Sequence, residues 1–314
     1  DVERSRGLGD VYKRQDYYTL LASRLVTSLN HGAFFGLGAV VAASVVPKEK
    51  QASAVATMFM GLTIANIGGV PAATWIGQQI GWRMAFAGTA VLGLLAMAAL
   101  WYALPKGERG SVPHVRKELA VIARPSVLLA MATTVLGAGA MFTLYTYVAP
   151  VLAELTGASD SFVTLALVLI GVGFTLGNSL GGRLADWSLD GAAKIFLAVL
   201  TLIMLSMPLV LGSHIGAAIA LLVWGMFTFA VVPPLQMRVM TAAIEAPGLA
   251  SSINVGAFNL GNAVGAALGG AVISLNLGYA AVPMAGGVLA AAGLLLVWLG
   301  GRHKVAGKTA ADMA

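Results

Sequence analysis

The chain has 314 residues, 58% of them hydrophobic and only 10% charged, with a mean hydropathy of +0.86. Charged residues make up about a quarter of an ordinary soluble protein, so this composition cannot clothe a water-exposed surface and the solvent must be largely lipid. The net charge of +6 is no nucleic-acid signature, because the basic residues sit in short loops between apolar runs; the absence of cysteine excludes disulfides, thiolate metal sites and a cysteine nucleophile.

Residues 1–15, DVERSRGLGDVYKRQ, carry seven charges and no apolar period, and read as a non-native or disordered lead. The chain starts on Asp1 and no signal peptide precedes its first apolar run, so a fragment is expected. A bilayer core asks for about 20 apolar residues per helix. Nine runs meet that length, at 18–46, 52–80, 83–104, 126–153, 162–184, 193–212, 215–236, 250–274 and 279–300. Lys48, Lys50, Lys106, Arg109, Arg116, Lys117, Arg124, Arg183, Lys194, Arg238, Arg302, Lys304 and Lys308 fall on one set of loops, and Arg83 alone on the other. The first set is therefore cytoplasmic, as is the C-terminus. The longest loop, 105–125, holds VRKELAVIAR, which suits either a short amphipathic surface helix or a plain basic connector.

The stretch from Gly61, GLTIANIGGVPAATWIGQQIGWR, sets small residues on every fourth position: Gly61, Ala65, Gly69, Ala73, Gly77 and Gly81. At 3.6 residues per turn that row winds slowly along one helix face. Lipid is as apolar as leucine, so small residues associate membrane helices by letting backbones approach. Pro71 deletes a hydrogen bond mid-helix and bends the rod. Further ladders are Gly173, Gly177 and Gly181, and Gly261, Gly265 and Gly269. Ala52–Val55 matches Ala250–Ile253, and Gly81-Trp82 matches Gly278-Tyr279, which is an internal repeat of nearly two hundred residues. That period places three further spans ahead of the nine. The nine are then helices four to twelve of a six-plus-six protein: a partial first half at 16–104, a cytoplasmic linker at 105–125, a second half at 126–301 and a cytoplasmic tail at 302–314.

At this point the chain resembles the major facilitator superfamily, within it the bacterial twelve-helix drug/proton antiporters, and within those the arabinose-efflux-permease-like subgroup. The resemblance covers residues 16–301. It is carried by RLVTSLNHGAFFGLGAVVAASVVP from Arg24, the stretch from Gly61, GNSLGGRLAD from Gly177, and FNLGNAVGAALGG from Phe258. The Gly61 stretch resembles the antiporter signature of helix five, and GNSLGGRLAD is similar to the copy of the superfamily's loop motif that belongs to the C-terminal half. Helices one to three, with the first-half loop motif and any acidic coupling residue, have no counterpart. The resemblance implies an all-α membrane protein, a helix bundle in which helices four, seven and ten line a cavity while five, eight and eleven form the interface between halves. It also implies proton-coupled efflux across a bacterial inner membrane, a monomer, and no cofactor beyond the proton gradient. Expected partners are the lipid bilayer, a small-molecule substrate and protons, with no nucleic acid.

Arg24 and His31 lie two turns apart on one face with Ser28 and Phe35. Ionisable groups inside a span are expensive and usually face a cavity or a partner, and histidine is the side chain whose ordinary charge change falls in the physiological range. They read either as pathway contacts or as a structural histidine with an arginine anchored near the outer interface. Helix seven adds Phe142, Tyr145 and Tyr147, and helix ten adds Trp224, Phe227 and Gln236, the last beyond the kinking pair Pro233-Pro234. Aromatics with polar tips suit amphipathic solutes, though each taken singly is as well explained by packing. The sliding and gating candidates are Gly61, Gly69, Pro71, Gly77, Gly177, Gly181, Gly182, Arg183, Asp186, Asn259, Gly261, Gly265 and Gly269. Asp186 is expected at the positive N-terminal end of helix five, near Ser53, with Arg183 paired to it or to lipid phosphate. Asn66, Asn178, Asn254, Asn259 and Asn262 are expected to bond neighbouring helices.

No metal spacing appears, since His114, His214 and His303 are isolated. Gly177–Gly181 fits G-x-S-x-G but lies in a helix, and Gly301–Thr309 misses the P-loop spacing, so no enzyme is expected. The expectation is a secondary active transporter working by alternating access, exporting sugars or drug-like small molecules. The alternatives are a nucleoside or amino-acid exporter, or a non-transporting, inactive membrane fragment.

Overall fold

The computed structural model describes residues 17–103 and 115–311. The lead at 1–15 and the linker's first part, 105–114, lie outside them. Every regular element among the described residues is helical.

The first helix, α1, is Tyr17–Ser44. Among the described residues, eight helical stretches are long and apolar enough to cross a membrane, where the sequence predicts nine. The ninth is α1, whose 28 residues are long enough at 1.5 Å each but whose apolar run is broken by Arg24, Asn30 and His31. Helix α2, Gln51–Ile64, passes through a π turn at Ala65–Gly69 into α3, Val70–Gln79. Pro71 has no N–H for the carbonyl of Ile67, and the wider turn ahead of it absorbs the missing bond. Helix α4, Trp82–Ala103, follows Gly81, whose φ is +116°. Its repeat counterpart Gly278 has φ +83°, so both copies turn on a left-handed glycine.

Inside the expected linker lies α5, Val115–Ile122, the helical one of the two forms expected for that stretch; α6, Pro125–Tyr145, follows and breaks before α7, Val148–Thr156. Pro150 cannot donate to the Thr146 carbonyl, which accounts for the break. Then follow α8, Asp160–Trp187, and α9, Leu189–Ser206. Ser159 and Ser188 cap them, each side chain accepting from the N–H three residues on. Helix α10, His214–Ala230, is separated from α11, Val232–Ala242, by the missing donors of Pro233 and Pro234. Last are α12, Pro247–Ser274, and α13, Ala281–Ala311, which carries the helix on through much of the expected tail.

The helices after residue 115 form one bundle in which α6 lies against α12 and α13, α9 against α13, and α8 against α10. Helix α2 packs on α8, and α1 packs on α12. Helix α4 packs on α3 and buries none of its residues; its exposed Trp82, Phe86, Leu92, Leu95 and Trp101 are tolerable only against lipid or another apolar surface.

The glycine ladders face partners the sequence does not specify. A Cβ on Gly173, Gly177 or Gly181 would overlap the backbone of α10 at Leu222, Met226 and Ala230. A Cβ on Gly261, Gly265 or Gly269 would overlap the backbone of α6 at Val135, Gly139 and Thr143. Both ladders thus join helices within the bundle after residue 115, rather than meeting one another. The glycines of the α2–α3 ladder make no tight backbone crossing like those two: Gly61 and Gly81 have open space beside them, Gly69 has only Ala65, and Gly77 touches only Trp82 at the start of α4.

Candidate functional site

A cavity of about 300 Å³ lies where α1, α2, α6, α8, α10, α11 and α12 converge. Its wall is largely aromatic. On α1, His31 packs against Phe35 with ring centroids 4.8 Å apart, and Phe35 stacks on Phe59 of α2 at 5.6 Å, 8° from parallel. From α6, Phe142 meets Tyr145 edge-on at 5.7 Å. Tyr145 approaches Phe174 of α8 at 5.8 Å, and Phe174 stacks on Phe229 of α10 at 4.3 Å. Offset and edge contacts of this kind hold each ring in place.

The polar side chains on the wall are His31, Tyr145, Thr228, Asn259 and Asn262. Asn259 donates to the Val255 carbonyl at 3.1 Å. Thr228 is different. Thr133, Thr143 and Thr201 each bond the carbonyl four residues back, at 2.9, 2.7 and 2.7 Å. Thr228 is only 4% exposed, and its Oγ1 has no partner among the described residues.

Below this cavity wall runs a buried polar trio. Gln236 of α11 donates through Nε2 to the Ser251 hydroxyl of α12, and Asn254 Nδ2 donates to Gln236 Oε1 at 2.8 Å. All three are fully buried. Nearby, Arg238 and Asp190 form an ion pair at 2.7 Å that ties α11 to the first turn of α9.

A second centre lies where α2 meets α8. Asp186 accepts from the backbone N–H of Ala52 at 2.8 Å and of Ser53 at 3.2 Å, and from the Ser53 hydroxyl. Ala52 and Ser53 are in the first turn of α2, where N–H groups lack intrahelical partners and the helix dipole is positive. One turn away, Asn178 Nδ2 donates to the Ala56 carbonyl, and Gly182 sits against Ser53 and Ala56 so closely that a Cβ would collide. At the α1–α12 crossing, Gly36 meets Ser252 in the same manner.

The predicted pathway residues therefore separate. His31, Phe35, Phe142 and Tyr145 line the cavity. Trp224 is fully buried behind it, 6.4 Å from Phe174 by ring centroids, and Gln236 belongs to the trio. The side chains of Arg24, Pro71 and Asn66 lie outside the described residues. Of the interface candidates, Asp186 and Gly182 stand at the α2–α8 crossing, Arg183 is exposed, and Asn259 is on the cavity wall. Sequence reading missed Phe59, Phe174, Thr228, Phe229 and the Gly36–Ser252 contact. No pattern singles these out, because each is an ordinary residue on an apolar helix.

Stacked apolar helices around a central cavity, with no strand among the described residues, define a multi-pass membrane protein. The sequence profile of the Major Facilitator Superfamily matches residues 11–248, and the chain belongs to that family of membrane transporters. Over 289 residues it is 66% identical to the inner membrane transport protein YdhP of Escherichia coli, covering 92% of this chain and 74% of YdhP. AraJ of the same organism is 32% identical over 291 residues, 92% of this chain and 73% of AraJ. A Mannheimia succiniciproducens protein named as a probable sugar efflux transporter is 28% identical over 281 residues, 89% of this chain and 70% of that protein.

Proposed function

We propose that this chain is a secondary active transporter of the bacterial inner membrane, exporting sugars or drug-like small molecules in exchange for protons by alternating access. The observation that carries the reading is the shared cavity. Its wall comes partly from α1 and α2, before residue 104, and partly from α6, α8 and α10 to α12, after residue 115, so tilting one group against the other would open or close it. That supports taking 16–104 as helices four to six of a first half and 126–301 as helices seven to twelve of a second. The linker at 105–125 and the tail at 302–314 would then be cytoplasmic, and the unit a monomer. His31 is the candidate for contact with a proton or substrate. Asp186 and Arg183 are the candidates for the gate, since the bonds of Asp186 to the first turn of α2 can form in one tilt and break in the other.

No nucleotide is required: one charge moving down the membrane potential releases about 2.3 kcal/mol per 100 mV. The inner-membrane name of YdhP supports the location, and the sugar-efflux name of the Mannheimia relative favours this assignment over a nucleoside or amino-acid exporter. The test is uptake of labelled sugars and dyes into inverted vesicles carrying the protein, with and without a protonophore. Flux that collapses with the protonophore is expected; flux indifferent to it removes proton coupling, and no flux removes transport.

A further inference from the structure

We propose that the cavity selects small, uncharged, planar aromatic solutes bearing one hydrogen-bonding group, and that the Thr228 hydroxyl receives that group. The proposal rests on reading this cavity as the site of the transported solute, and it separates the two substrate classes left open above.

Size comes first. At about 300 Å³ the cavity is at the small end of the range in which ligand pockets fall, enough for a molecule of one or two rings. Polarity decides the class. A hexose carries a hydroxyl on nearly every carbon, and each one buried without a partner weakens binding by roughly tenfold. This wall offers mainly ring faces and aliphatic groups; apart from Thr228 its polar side chains are His31, Tyr145, Asn259 and Asn262, with one Asn259 N–H already given to its own helix, too few to meet a hydroxyl on nearly every carbon. No Asp, Glu, Lys or Arg lines the cavity among the described residues, so a carboxylate or phosphate would enter without a fixed counter-charge. Flat ring surface is what the wall has to give: Phe35 with Phe59, and Phe142 with Tyr145, Phe174 and Phe229. Rings stack favourably on such surfaces beyond simple burial.

The polar end follows from an unmet bond. A threonine in an apolar helix ordinarily turns its hydroxyl back to the carbonyl one turn earlier, as Thr133, Thr143 and Thr201 do here. Thr228 leaves that bond unmade, is buried, and stands on the cavity wall beside Phe229. A buried hydroxyl without a partner is costly unless something supplies one. One amide, carbonyl or phenol on a stacked ring would do so, since a hydroxyl both donates and accepts.

The test is equilibrium binding to the full chain in lipid nanodiscs, with benzamide, ethylbenzene, benzyltrimethylammonium and glucose as probes. Benzamide is expected to bind most tightly. Thr228→Val should weaken benzamide about two- to tenfold and leave ethylbenzene unchanged, while Thr228→Ser keeps the benzamide affinity. The comparison among probes on the unaltered protein needs no variant, so a folding defect in Thr228→Val does not remove the test. Glucose binding as tightly as benzamide overturns the proposal, as does tighter binding of the ammonium ion, which aromatic cages can also favour. Equal losses of benzamide and ethylbenzene in Thr228→Val, or binding of none of the probes, overturn it too. Flux in vesicles separates the two readings. Thr228-dependent benzamide binding without protonophore-sensitive flux leaves this site and sinks the transport reading. Protonophore-sensitive hexose flux that ignores Thr228→Val does the reverse.

Discussion

Helices α8 and α10, like α6 and α12, meet backbone to backbone along three successive glycines, whereas α2 and α8, like α1 and α12, meet tightly at a single glycine, Gly182 and Gly36 respectively. Between α2 and α8 the crossing also carries hydrogen bonds: Asp186 accepts from first-turn N–H groups of α2, and Asn178 donates to the Ala56 carbonyl. The difference is mechanical. A ladder running over two turns fixes two rods along their length, because no atom in the contact can give way. A single glycine is a point of close approach about which two rods can tilt. The N–H groups that Asp186 accepts from are first-turn donors, which water can satisfy when the contact opens. In the proposed mechanism the ladders would build the rigid body, and the pivots with their polar latches would form the surface along which it moves.

The ladders offer the largest effects. In Gly177→Val the new side chain would drive into the Met226 backbone, and since overpacking an ordinary core already costs about 1–3 kcal/mol, the loss here should be roughly 3 kcal/mol or more. Gly265→Val should match it at the α6 crossing. Both should show as a large drop in unfolding temperature or in recovered folded protein. Either variant folding normally would mean that the pairs are not rigid units.

The pivots should behave in the opposite way. Asp186→Asn keeps the shape and removes the charge, so the contact loses about 1–2 kcal/mol in the one state that makes it. Transport should fall about fivefold or more by that bias, with the unfolding temperature shifted by only a few degrees. Unchanged transport would remove the latch. Asn178→Ala should do less. It gives up the bond to Ala56 but also deletes Asn178 Oδ1, which has no partner of its own, so the net change in stability should stay within about 1 kcal/mol.

How far the sequence can reach is clear from the same residues. Period and hydropathy expose the helices, and prolines mark where they break, because both are local: Pro71, Pro150 and Pro233 act on a carbonyl four residues away. The ladders are visible as smooth faces, yet a smooth face does not name its partner. Gly177 pairs with Met226 and Gly265 with Gly139 only because the chain folds that way round. Charge carries more. Two ionised groups ending a small-residue run need a counterpart, and one helix start with free N–H groups is within reach of Asp186. The cavity is half legible: His31 stands out as an ionisable group in a span, while Thr228 resembles any membrane threonine until its missing bond is seen.

The smallest effect is the most informative about where rigidity does not come from. Arg124, at the start of α6, donates to both carboxylate oxygens of Glu245, which stands between α11 and α12. The pair is exposed, and exposed pairs contribute little. The bond from Arg124 holds the Glu245 carboxyl below the ordinary glutamate range. Because the folded value is the lower one, whatever stability the pair lends is present above the ordinary range and is lost as pH falls through it and on through the depressed value. Arg124→Gln should move the Glu245 titration back upward, as followed by carboxyl NMR, while unfolding temperature and flux near neutrality stay where they were. A substantial loss of either would mean that this surface charge, and not the glycine ladder at the far end of α6, holds the bundle's helices in register.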